Sequence, residues 1–219
     1  MTTLTSHRKA PKSGKARSAV IFVHGYGADG ADLLGLADPL APHLPDTVFY
    51  SPDAPQPCVN NPFGFQWFPI PWLDGSTEAA RDAGMAESVT LLNAYIDGVL
   101  ADEGLPPSAL ALVGFSQGTM MSLHIAPRRA EAIAGVVGFS GRLLVPETLT
   151  AEARVKPPVL LVHGDADQMV PFEDMGRAGN ALLDAGFEVY GHVMKGTGHG
   201  IAPDGLQVAL SFLKDKLPG

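Results

Sequence analysis

Between an apolar run at residues 109–115 and a helix-forming stretch at 117–126, the chain has one residue, Ser116, in which to turn. The run reads as a buried strand and the stretch as a helix. A turn that tight forces its central residue into strained backbone geometry. The residues two positions to either side, Gly114 and Gly118, then have to lack side chains so that strand and helix can approach. The pattern is G-x-S-x-G, which presents a serine hydroxyl at the carboxyl end of a strand. A small-residue turn between any strand and helix can produce the same five residues by packing needs alone, so the pattern gains force from what surrounds it.

Further apolar runs at 19–24 (AVIFVH), 47–50, 133–139, 159–163 and 187–194 read as strands. The first is unbroken, as expected of a strand buried on both faces of a parallel sheet. Leu33, Leu34, Leu36 and Leu40 suggest one short helix ending near Pro42. Residues 76–103 form the strongest helix, with Met85, Val89, Leu92, Ile96 and Val99 along one face. Ser76 is its expected cap, Glu78 suits the positive end of its dipole, and Gly104, Pro106 and Pro107 stop it. Two more helices fall near 172–185 and 203–217. This alternation, without repeat or linker, predicts an α/β fold with a mostly parallel central sheet and helices on both faces. One domain over 19–219 is expected, preceded at 1–18 by a solvated basic tail carrying Arg8, Lys9, Lys12, Lys15 and Arg17. In such sheets chemistry gathers at the carboxyl ends of the strands.

Composition excludes several classes of function. A net charge of −8 argues against a nucleic-acid partner, because a phosphate backbone is held by clustered positive charge. No apolar run approaches the length that spans a bilayer, so stable membrane insertion is not expected. The single cysteine, Cys58, can form no disulfide within the chain, and its loop setting suits a small apolar role. A reducing, cytoplasmic setting is the expectation. No metal or cofactor is expected either: the histidines lack ligand spacing, and the glycine-rich loop after the first strand has neither a P-loop lysine nor G-x-G-x-x-G.

A serine hydroxyl is a poor nucleophile at neutral pH and needs an imidazole to take its proton and a carboxylate to orient that imidazole. Of seven histidines, His7 lies in the tail, His43 ends a helix, His124 is within a helix and His192 within a strand. His24 and His163 each end a strand before glycine, where packing beneath the active face is the expectation. His199 sits in KGTGHGI, a glycine-rich loop after the last strand, free to project over the sheet. The loop after the 159–163 strand offers Asp165 and Asp167. Asp165 follows a glycine turn and is placed to accept hydrogen bonds from loop amides, whereas Asp167 lies further out. The order Ser116, Asp167, His199 is that of nucleophile, acid and histidine in α/β-hydrolases. Oxyanion donors are expected from the amides of Gln117, after the serine, and Tyr26, in HGYG after the first long strand.

Residues 51–75 form a long loop rich in proline and containing Phe63, Phe65, Trp67, Phe68 and Trp72. Its aromatic content argues for a folded wall rather than disorder, and this wall can line a pocket, pack on the core or form a subunit contact. The 140–158 connection is too short for a multi-helix lid. An open apolar groove is expected, with the stretch Arg142, Leu143, Leu144 and Val145 on one side, Trp67, Phe68 and Ile70 on the other, and Met169 contributed by the acidic loop.

Six segments, VHGYGADGADL (23–33), SPDAP (51–55), GFSQG (114–118), FSG (139–141), HGDADQMVP (163–171) and GHG (198–200), together resemble the carboxylesterase and phospholipase family of α/β-hydrolases. This family includes acyl-protein thioesterases, and the resemblance spans nearly the whole chain. It implies that the second aspartate of the D-x-D loop, Asp167, belongs to the triad. FQWF at 65–68 is similar to bacterial members rather than to the eukaryotic protein-deacylating ones. Family members are often dimers, so a homodimer is implied as an expectation. The reading is a serine hydrolase acting through an acyl-enzyme on small-molecule carboxylic esters of short to medium acyl chains. Thioester or lysophospholipid hydrolysis would use the same machinery. A ligand-binding protein on this scaffold that had given up chemistry would be free to lose a triad member or an elbow glycine, and this chain has lost neither.

Overall fold

The chain enters its sheet earlier than the sequence pattern predicts. In the computed structural model, which describes residues 4–218, the outermost residues of the two expected segments, 1–3 and 219, lie outside the described residues. Within them, Ser6–Lys9 forms a strand (β1) rather than a solvated tail. SHRK has no apolar residue to announce a strand. At a sheet edge it needs a partner on one side only and keeps its charges in water, and Arg8 is fastened to Glu103 at 2.8 Å and to the Tyr50 hydroxyl at 2.9 Å.

Ser18–Val23 (β2) is followed by Gly30–Leu34 (α1), Ala37–Leu40 (α2), Thr47–Pro52 (β3), a small hairpin of Gln56–Pro57 (β4) with Phe65–Gln66 (β5), Pro71–Asp74 (α3) and Glu78–Glu103 (α4). Then come Leu110–Phe115 (β6), Gln117–Ile125 (α5), Gly135–Phe139 (β7), Pro146–Glu152 (α6), Val159–Gly164 (β8), Glu173–Asp184 (α7), Val189–Met194 (β9) and Pro203–Lys216 (α8). The single helix expected near Leu33 is two short ones, the first capped by Asp29, whose carboxylate accepts from the Asp32 amide at 2.8 Å.

Seven strands form one sheet in the order β1-β3-β2-β6-β7-β8-β9, parallel except for β1. From β2 the chain goes to one side for β3, then crosses back to the other for β6. Connections therefore leave the carboxyl ends of β2 and β6 in opposite directions, and a crevice opens between them. Alternate residues of β2 face opposite layers: Ala19, Ile21 and Val23 join the core under α4, α5 and α7, while Val20 and Phe22 join the core under α1, α2 and α8. No helix among the described residues is long and apolar enough to cross a membrane.

Helix α4 departs from its expected face at the N-terminal end. Its buried residues there are Gly84 and Ser88, and its expected members Met85 and Val89 are only half-buried. This half of α4 packs closely on the 51–75 loop: a Cβ at Gly84 would stand 2.8 Å from the Pro69 ring, and the Ser88 hydroxyl donates to the Trp67 carbonyl. Thr77 rather than Ser76 caps the helix, accepting from the Ala80 amide at 3.1 Å.

Among the described glycines, the tightest approach of neighbouring backbone is where α5 meets β2. A Cβ at Gly118 would stand 1.8 Å from the Val23 carbonyl oxygen, and one at Gly114 would stand 2.5 Å from the Thr119 amide nitrogen. Gly118→Ala is expected to lower the free energy of unfolding by about 3 kcal/mol or more, because rigid backbone would have to move. Gly176, on the exposed side of α7, has nothing within 4 Å of its Cβ position. Gly176→Ala is therefore expected to raise stability by about 0.5–1 kcal/mol. Urea denaturation of the two variants checks both signs.

Candidate active site

Ser116 occupies the turn between β6 and α5 with φ 53° and ψ −114°, a region that non-glycine residues rarely adopt and that costs about 1–3 kcal/mol. The surroundings hold it there. Its amide donates to the Phe139 carbonyl at 2.9 Å, and the Thr119 hydroxyl lies 2.8 Å from both the Gly114 and Phe139 carbonyls.

The loops after β8 and β9 supply the other two expected residues. His199 Nδ1 lies 2.8 Å from Asp167 Oδ2, so Nδ1 carries the proton and donates it. The other oxygen, Oδ1, accepts from the amides of Met169 at 2.8 Å and Val170 at 2.9 Å. His163 Nε2 lies 3.3 Å from Oδ2, on the buried side, and 3.0 Å from the Val170 carbonyl. Burial pushes the Asp167 carboxyl up, but hydrogen bonds from His199, Val170 and Met169 outweigh it and hold the group below the usual carboxylate range. Asp165 does the structural task expected of it: it accepts from the Gly196 amide at 2.6 Å and pairs with Lys195 at 3.1 Å, which fastens the loop carrying His199. The His199 ring leans on Phe115, with centroids 4.9 Å apart.

His24 lies beneath the active face. It is buried, with Nδ1 donating to the Gly25 carbonyl at 2.7 Å and Nε2 accepting from the Ala54 amide at 2.9 Å. Desolvation lowers its pKa, and both ring nitrogens are committed to the neutral form.

A cavity of about 360 Å³ opens at the crevice between β2 and β6, and Ser116, His199, Tyr26 and Gln117 all border it. The amides of Tyr26 and Gln117 find no acceptor among the described residues. The Tyr26 hydroxyl donates to Asp74 Oδ2 at 3.2 Å, tying its loop to α3. Phe68, Ile70 and Met169 line the cavity as expected, but Trp67 and Leu143 do not. Trp67 is wholly buried, with its indole N–H donating to the His24 carbonyl at 3.0 Å. Leu143 belongs to the core, and its neighbours Arg142 and Leu144 take the wall. The two differ in cause: Leu143 points away from the cavity between Arg142 and Leu144, which face it, as successive side chains of an extended backbone do, whereas Trp67 is turned under the wall that the consecutive residues 68–73 build. The aromatic loop therefore both lines the pocket and packs on the core. Cys58 within it is buried.

Sequence reasoning missed the side chain of Gln117. Its Oε1 accepts from the Trp67 amide and its Nε2 donates to the Phe68 carbonyl, both at 2.8 Å, so the elbow itself clamps the wall. The available signal was a carboxamide, both donor and acceptor, in a position otherwise chosen for its backbone.

A serine on a strained strand-to-helix turn, a histidine–aspartate pair at the ends of later strands and a parallel sheet between helix layers define an α/β-hydrolase. Within that class the chain belongs to the phospholipase/carboxylesterase family, whose profile matches residues 7–217. Acyl-protein thioesterase 1 of Gibberella zeae is 28% identical, with 95% of this chain and 94% of the relative covered. Esterase YpfH of Escherichia coli is also 28% identical, over 93% of this chain and 84% of the relative. The crystal structure of esterase PE8 superposes with a TM-score of 0.93 at 42% identity, covering 99% of this chain and 100% of that one.

The lowered pKa of Asp167 has a consequence for stability. Its ionised form stabilises the fold above the unfolded carboxyl pKa of about 3.9, and that contribution is lost as pH falls through this value toward the lower folded one. Asp167→Asn is expected to be less stable than wild type at pH 7, with the difference shrinking between about pH 5 and 3. Urea denaturation at stepped pH checks this, and a constant difference would contradict it.

Proposed function

We propose that the protein is a serine hydrolase that cleaves carboxylic esters of short to medium acyl chains through an acyl-enzyme. The observation that carries this reading is that Ser116, on its strained turn, and His199, oriented by buried Asp167 at 2.8 Å, face one cavity. With Nδ1 engaged by the carboxylate, Nε2 is the nitrogen free to take the serine proton. Oγ then attacks the ester carbonyl carbon, and the carbonyl oxygen becomes an oxyanion that the Tyr26 and Gln117 amides receive. When the tetrahedral intermediate collapses, the alkoxide departs with the proton returned by His199. Water, activated by the same imidazole, releases the acid. Asp167 stabilises the imidazolium without itself taking the proton. The 140–158 connection contains a single short helix, α6, so the apolar walls are open to substrates dissolved as monomers.

A second reading, thioester hydrolysis, draws support from the relative named acyl-protein thioesterase 1. The same nucleophile, base and oxyanion donors serve either leaving group, so the choice lies in what the cavity admits. Turnover of matched butyrate oxygen esters and thioesters separates the two; the first reading expects kcat/KM for the oxygen ester to equal or exceed that for the thioester.

Ser116→Ala is expected to abolish labelling by a fluorophosphonate probe and to lower kcat on p-nitrophenyl butyrate by about a thousandfold or more. Turnover near that of wild type would overturn the assignment.

A further inference from the structure

The apolar walls of the cavity are interrupted by one cation whose hydrogen-bonding capacity is unused. Gly141 approaches the elbow so closely that a Cβ there would stand 2.4 Å from Thr119 Cβ, which fixes the next residue, Arg142, beside Ser116. Arg142 Nε lies 3.2 Å from Asp174 Oδ2, but too obliquely for a hydrogen bond. No N–H of Arg142 reaches an acceptor among the described residues in hydrogen-bonding geometry. Its counter-ion is shared, because Arg177 Nη1 holds the other oxygen of Asp174 at 2.9 Å. Two guanidinium charges thus face one carboxylate and leave about one positive charge over. The other arginine on the cavity, Arg81, is neutralised by Glu78 and Asp82.

A protein built only for neutral acyl chains would gain by an aliphatic residue at 142, since the Arg142 Nε is buried without a hydrogen bond, which is costly, while the rest of the guanidinium, on a side chain 40% exposed, stays open toward the cavity mouth. We infer that Arg142 is a specificity residue and that the preferred substrate is an ester carrying a second, ionised carboxylate, which the free face of the guanidinium receives. The planar fork of N–H donors matches a carboxylate in two parallel charge-assisted bonds, and one surplus positive charge matches one negative charge. The inference rests on the ester-hydrolase reading above and names the substrate class of that site.

The test compares monoethyl adipate with ethyl hexanoate, which is close to it in length and lacks the charge. Wild type is expected to favour the anionic ester, and the ratio of the two kcat/KM values is expected to fall about tenfold or more in Arg142→Gln, equivalent to about 1.4 kcal/mol. Arg142→Lys is expected to recover part of that ratio, because it restores charge without the fork. Fluorophosphonate labelling of each variant shows that Ser116 and its surroundings remain in place. A wild-type preference for the neutral ester, or a ratio unchanged in Arg142→Gln while labelling persists, would overturn the inference. A binding arm is independent of turnover: calorimetric titration of Ser116→Ala with monoethyl adipate is expected to weaken about tenfold on adding Arg142→Gln, and equal affinity would also overturn it. Failure of wild type to label would condemn the serine-hydrolase reading while leaving the binding arm to decide on Arg142.

Discussion

The contact between Gly118 and the Val23 carbonyl is the constraint on which the site depends. It lets the N-terminal turn of α5 lie directly on the end of β2, with no side chain between them. With that helix seated, the chain leaving β6 has one residue in which to reverse, and Ser116 takes the positive φ that no free serine would prefer. The same seating brings Gln117 beside the loop that leaves β2, so two amides from distant parts of the sequence border one cavity. The strain at the serine is therefore borne by the packing of the whole sheet rather than by the turn itself.

Electrostatics follow from this geometry with a division of labour between two aspartates. Asp165 spends its oxygens on Gly196 and Lys195 and fixes where the last loop begins. Asp167, buried, accepts two amides and the imidazole and so orients what that loop carries. Desolvation raises the Asp167 pKa, and the combined donors outweigh it and hold the carboxyl below the usual carboxylate range. Beneath them His24 is buried in its neutral form, as suits a group asked for one donor and one acceptor and no charge.

Much of this was legible in the chain because it rests on strong local signals. Unbroken apolar runs mark strands covered on both faces, and the requirement that chemistry lie at strand ends singles out Ser116, Asp167 and His199, which the structure places after the carboxyl ends of β6, β8 and β9. Where reading failed, the signal was either absent or shared. β1 has no apolar residue, since an edge strand held by Arg8 and Glu103 needs none. The N-terminal half of α4 buries Gly84 against the Pro69 ring and Ser88 against the Trp67 carbonyl, which hydrophobic periodicity cannot register. Trp67 and Leu143 are as apolar as Phe68 and Leu144, which do line the cavity, and only the local direction of an irregular segment decides which side chain faces inward. Arg142 escaped for a related reason, being taken as part of an apolar stretch when its charge was the informative property.

The 51–75 loop is stitched to the rest on both sides of the cavity that Ser116 borders. Its Phe65 exchanges backbone hydrogen bonds with Gly27 and Ala28, Asn61 donates to the Gly27 carbonyl at 2.7 Å, and Gln117 grips Trp67 and Phe68. Wall and the loop carrying Tyr26 consequently form one mechanical body. Such a wall is not a modular part: exchanging it for the loop of a relative would displace the Tyr26 amide along with the pocket lining. Changes of substrate range in this architecture have to come by single side chains on a fixed frame, or by replacing Asn61, Phe65 and Gln117 together as one inherited block.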